Sequence, residues 1–158
     1  MKSLIRSFGY AFCGIGRTVT SERNMRIHLT VMAYMFGYLF LYDFFTVTRT
    51  QLAILFVMCA AVISGELINT AIENIADLVE KNKSIFVRNA KDAAAGAVLV
   101  TAISAVAVGI AVLYQPDAFR ALLDYYVKNP VMIAVLIASL AVSLIFIFMP
   151  FKKKNRKD

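Results

Sequence analysis

The chain has 158 residues, 60% of them apolar and only 17% charged, with a mean hydropathy of +0.71. That balance excludes an ordinary soluble domain and points to one compact membrane domain. The formal net charge is +7; anionic lipid and the membrane topology derived below account for such an excess, so nucleic acid is not an expected partner. Two cysteines, Cys13 and Cys59, stand in apolar surroundings without metal spacing and read as free packing thiols.

Residues 3 to 16 mix Leu4, Ile5, Phe8, Phe12 and Ile15 with Arg6, Arg17 and several glycines. The segment is too short and too charged to span, and it has no signal-peptide core; it predicts an amphipathic helix lying in the interface. Thr18 to Arg26 is polar and holds Glu22. His28 to Phe45 is a first apolar span, ending in an aromatic cluster (Tyr38, Phe40, Tyr42, Phe44, Phe45) suited to a headgroup boundary. Gln51 to Val79 is a helical run of 29 residues, about 43 Å long against about 30 Å of hydrocarbon, so its C-terminal turns should emerge. Lys81 to Arg88 is a basic loop, and Ala90 to Tyr114 a third span opening with Lys91-Asp92. Gln115-Pro-Asp117 breaks it, residues 118 to 128 form an interfacial amphipathic piece, and Asn129-Pro130 caps a fourth span, Val131 to Phe148, before the basic tail from Lys152 to Lys157. The fold class is therefore all-α: an integral membrane helical bundle with an N-terminal interfacial helix, three core spans and a fourth. Residues 1–114 form the core unit, and 115–158 add the interfacial segment, the extra span and the tail.

Basic residues set the orientation. Before the first span, in the loop at 81 to 91 and in the tail lie 14 Lys and Arg, against 3 in the alternate loops (Arg49, Arg120, Lys128). Both termini and the 81 to 91 loop should be cytoplasmic.

Within the second span, Glu66, Asn69, Glu73 and Asp77 are spaced 3, 4 and 4 apart, one stripe on one helix face, with apolar residues between. An ionisable group at that depth costs several kcal/mol unless it faces protein, water or a cation. If the span enters near Leu52, Glu66 lies about 21 Å in, roughly 9 Å short of the cytoplasmic edge of the hydrocarbon. Glu73 then sits near that edge and Asp77 in the headgroups, with Glu22, Lys91 and Asp92 on the same side. Acids, an amide and a lysine thus converge where a lipid headgroup meets cytoplasm. The set suits phosphoryl transfer from a soluble nucleotide to a membrane-held alcohol: carboxylates hold Mg²⁺, a lysine meets phosphate, and one deeper carboxylate accepts a hydroxyl proton. Neither a Walker glycine loop nor a protein-kinase loop is present.

These residues also resemble a known family. Glu66-Leu-Ile-Asn-Thr-Ala-Ile-Glu-Asn-Ile-Ala-Asp77, Ala90-Lys-Asp-Ala-Ala-Ala-Gly-Ala-Val-Leu99 and Glu22-x-Asn-x-Arg26 are similar to the signature of the prokaryotic diacylglycerol kinase and undecaprenol kinase family, over roughly residues 3 to 114. The resemblance implies a small integral-membrane lipid kinase of the bacterial cell membrane. It implies dependence on ATP and Mg²⁺, a homotrimer, and active sites shared between subunits. Carried over by position, Glu66 resembles the catalytic base, Glu22 and Glu73 the metal-holding carboxylates, and Asn69 a group supporting base and phosphate. Lys91 resembles the phosphate-contacting lysine, with Asp92, Asp77, Arg6 and Tyr10 as further nucleotide-site residues; Arg26 also matches. Glu22-Arg-Asn-Met-Arg-Ile-His28 is similar to the Gram-positive branch, where undecaprenol tends to be the better substrate. The family typically has three spans, so residues 115 to 158 depart from it.

The plain alternatives are a buried polar network for the stripe, a helix start for Lys91-Asp92, an interfacial side chain for His28 and a packing face for Ala97, Thr101, Ala105 and Gly109. At the level of function they correspond to a small channel or transporter using the stripe as a cation path, or to a non-catalytic membrane scaffold.

Overall fold

The computed structural model describes residues 2–79 and 84–149. Lys81 and Lys83 of the expected basic loop, and the tail at 152–157, lie outside the described residues. Six helices follow one another: α1 (Lys2–Ser21), α2 (Arg23–Leu41), α3 (Arg49–Val79), α4 (Ile85–Leu113), α5 (Pro116–Lys128) and α6 (Pro130–Phe148).

The expected interfacial segment is longer than its apolar pattern suggests. α1 continues through the polar stretch to Ser21, where Glu22 alone takes an extended conformation (φ −104°, ψ 120°), and α2 restarts at Arg23. Thr18 and Thr20 return their hydroxyls to the carbonyls of Gly14 and Gly16, which lets hydroxyl side chains sit inside a helix. α1 is amphipathic and carries Leu4, Ile5, Phe8 and Phe12 on its surface. Cys13 is exposed on it too, so it is not the packing thiol expected; the pattern that marks α1 as apolar on one face does not supply a neighbour for that face.

α3 and α4 form the main helical pair of the bundle, packed along much of their length. With α6 they are the three helices long and apolar enough to cross a membrane. α2 falls short of that level of hydropathy because Arg23, Arg26 and His28 occupy its first two turns. It nevertheless lies antiparallel along α6. Arg26 bonds to the Ile147 carbonyl at one end, the Tyr34 hydroxyl meets Ser139 and Ser143 at 2.9 and 3.2 Å in the middle, and Tyr38 meets Tyr126 of α5 at 2.6 Å near the other end. Its 19 residues reach about 28 Å, close to the thickness of the hydrocarbon.

At the end where α2 leaves and α3 enters, the aromatic cluster is a joint. Tyr42 and Phe44 both pack edge-on against Tyr125, and Phe45 against Phe119, at ring separations of 5.4 to 5.5 Å. Gln115 ties the same corner by hydrogen bonds to both backbone groups of Thr46. Burial and the hydrogen bond with Tyr38 hold the Tyr126 hydroxyl far above the usual phenol range. Pro116 and Pro130 occupy first-turn positions of α5 and α6, where a missing N–H costs nothing.

The buried apolar core is small: Met25, Leu55, Val62, Ala76, Val98 and Ala118 among the described residues. Large apolar side chains of α3, α4 and α6 face outward instead, as expected where lipid or another subunit is the neighbour. The small-residue face of α4 is open at its far end, since a Cβ placed on Gly109 would meet nothing within 4 Å. Gly65 of α3 does face α4, with Val98 Cγ2 at 3.6 Å from such a Cβ, an ordinary contact distance.

Candidate active site

α3 carries the polar stripe past the end of α2 and along α4. Glu66 is 2% exposed and Asn69 8%, so the two deeper members are enclosed by protein. Helical spacing aligns the rest: the Asn69 amide donates to Glu73 Oε1 at 2.9 Å, and the Thr70 hydroxyl donates to the Glu66 carbonyl at 2.8 Å. Glu73 is half-buried, and Asp77, one turn further, is exposed.

His28 of α2 is the neighbour that periodicity on α3 does not reveal. Its Nε2 lies 3.3 Å from Glu66 Oε1. The contact is close in distance but is not a hydrogen bond, and among the described residues Oε1 has no hydrogen-bond donor. Asn69 Oδ1 is likewise buried without one. Leaving a buried acceptor unsatisfied costs about 1–3 kcal/mol, so two such acceptors three residues apart on α3 call for a donor from outside the described residues. Glu22, at the break between α1 and α2, is half-buried, and its charge, like that of Glu73, acts on Glu66.

Nearer the helix ends, Lys91 of α4 meets Asp77 of α3 at 2.8 Å. α4 opens at Ile85, with Ser84 before it, so Lys91 and Asp92 lie nearly two turns inside the helix and are not its start. A residue pair one position apart points in two directions on a helix. Lys91 accordingly faces α3, while Asp92 is exposed and lies 3.8 Å from Arg88 on its own helix. Arg6 and Tyr10 stand exposed one turn apart on α1. The chain thus gathers Glu22, His28, Glu66, Asn69 and Glu73 in one group and Asp77 with Lys91 in a second. Asp92, Arg6 and Tyr10 are held outside both.

Among the described residues, no three His, Cys, Asp or Glu side chains converge as a ready-made metal site. Mg²⁺ asks for less, commonly one or two carboxylates with phosphate oxygens and water. The half-buried carboxylates of Glu22 and Glu73 supply oxygen donors of the kind it takes.

The family model for prokaryotic diacylglycerol kinase matches residues 9–113. The chain belongs to this family. It is 37% identical over 116 residues to the diacylglycerol kinase of Synechocystis sp., covering 72% of this chain and 64% of that one, so it spans under two thirds of that relative. It is 33% identical over 110 residues to the undecaprenol kinase of Bacillus subtilis, covering 70% of this chain and 87% of that one. No solved structure matches it. The family match contains all of the gathered acids together with Asn69 and Lys91, begins after Arg6, and stops at the last residue of α4, leaving α5 and α6 beyond it.

Proposed function

We propose that this chain is a lipid kinase that transfers the γ-phosphoryl group of ATP to a membrane-held alcohol at the cytoplasmic face of the bacterial cell membrane. The observation that carries the reading is the buried Glu66 carboxylate, whose Oε1 has no hydrogen-bond donor among the described residues, in a chain of this family. A lipid hydroxyl is the donor such an acceptor lacks. Glu66 takes its proton as the hydroxyl oxygen bonds to the γ-phosphorus; the bond to the β–γ bridging oxygen breaks, and ADP leaves. Asn69 holds Glu73 by donating its amide to that carboxylate. Glu22 and Glu73 would hold Mg²⁺, which when bound offsets phosphate charge. Lys91, paired with Asp77, reaches the phosphates, and Asp92, Arg6 and Tyr10 join the nucleotide side on assembly. Such assembly, as a homotrimer with sites shared between subunits, would bring exposed residues such as Arg6 and Tyr10 to a neighbour's stripe. A purified sample should release ADP only when a lipid alcohol is present; a cation path or a scaffold has no such requirement.

The lipid arm of the same assay bears on specificity. Undecaprenol should be phosphorylated at least as well as diacylglycerol, a reading supported by the segment around His28 and by the likeness to the Bacillus subtilis undecaprenol kinase. Turnover of diacylglycerol alone would contradict this assignment and leave the kinase reading standing.

Topology supports the same placement. With α2 lying along α6, α2 is read as a fourth crossing helix beside the three apolar ones, and the basic split of 14 to 3 predicts both termini in the cytoplasm. Reporter fusions after Lys157 and within residues 82–87 should both read cytoplasmic; an external reading at either place would contradict the scheme.

A further inference from the structure

Arg26 is 5% exposed in the first turn of α2. Its Nη1 donates to the carbonyls of Val19 and Thr20 at 3.2 and 3.1 Å, and its Nε and Nη2 both donate to the carbonyl of Ile147 at 3.2 and 3.0 Å. Val19 and Thr20 lie in the last turn of α1, and Ile147 in the last turn of α6. The final carbonyls of a helix have no partner within it and carry the negative end of its dipole, so a buried guanidinium between two such ends is well matched. Between Thr20 and Arg26 sits the break at Glu22, whose side chain makes no capping bond there. The position of the Glu22 carboxylate relative to α3 is therefore set by how this elbow is held.

We infer that Arg26 is a positioning residue for Glu22, and that α6 is part of the scaffold of the nucleotide site through its Ile147 carbonyl. The inference rests on the reading of Glu22 as a carboxylate on the metal and nucleotide side. It assigns a role to a helix that lies beyond the family match. Lysine keeps the charge but is a point donor and cannot fork between two helix ends.

The test compares full-length Arg26→Lys, Tyr34→Phe and Glu22→Gln by steady-state kinetics against Mg·ATP at saturating lipid alcohol. Arg26→Lys should raise the KM for Mg·ATP about 5- to 10-fold and largely retain kcat, the pattern of lost binding without loss of the chemical step. Tyr34→Phe loosens α6 from α2 away from the elbow, and should shift KM the same way by about 2-fold. If Glu22→Gln raises KM while Arg26→Lys leaves it unchanged, or lowers kcat alone, the inference is overturned. If Arg26→Lys fails to fold, Tyr34→Phe decides: a raised KM supports the role of α6, and an unchanged one overturns it. An unchanged KM in Glu22→Gln overturns the reading of Glu22 itself, and the inference with it.

Discussion

Glu66→Gln is expected to reduce lipid phosphorylation by about 10²- to 10⁴-fold, the usual contribution of a positioned general base, while Mg·ATP binding survives. Glutamine keeps the size of the side chain and most of its hydrogen-bonding capacity, so the neighbouring helices should pack unchanged. What it removes is the group that takes the hydroxyl proton. Glu66 of α3 is buried against α2, 3.3 Å from His28. Turnover and calorimetric nucleotide binding, measured on the same preparation, check this. Equal loss of binding in Glu66→Gln and Glu73→Gln would place both acids in the metal site and remove the base assignment.

Glu73→Gln and Glu22→Gln should behave in the opposite sense. Each leaves one carboxylate where two are proposed to meet Mg²⁺, and each should weaken nucleotide binding by about 10-fold or more, given that a lost charge-assisted contact is worth about 1.5–3 kcal/mol. Raising Mg²⁺ should restore part of the binding, because the lost term is metal affinity and not the chemical step. Glu73 has a second task, since it accepts the Asn69 amide at 2.9 Å; glutamine can preserve that bond. A titration of nucleotide affinity against Mg²⁺ separates the cases. An affinity deficit unaffected by Mg²⁺ would count against both carboxylates as metal holders.

The parts of this molecule governed by helical period were legible from the chain. Glu66, Asn69, Glu73 and Asp77 fall on one face because their spacing is a property of the helix itself, and the apolar runs of α3, α4 and α6 announce spans by length. Contacts between distant segments were not. His28 reads as an interfacial histidine until α2 is laid beside α3, and nothing in the spacing of Arg26 shows that it meets a carbonyl 121 residues away. Lys91 and Asp92 look alike in sequence, yet only Lys91 faces α3, because α4 begins at Ile85 and that start sets the helical phase. The extended conformation at Glu22 was hidden for a different reason: hydroxyl side chains that usually signal a break are accommodated in α1 by bonding to their own helix.

The proposed reaction is a phosphoryl transfer to lipid, and the phosphorus itself can be followed. Purified wild-type chain in mixed micelles receives γ-labelled ATP, Mg²⁺ and either undecaprenol or diacylglycerol, and the lipid phase is extracted and counted. Label is expected in a lipid phosphate with the wild-type chain, with a fall to near background with Glu66→Gln. Label that stays in the aqueous phase with both alcohols, from a folded protein that still binds nucleotide, would contradict it.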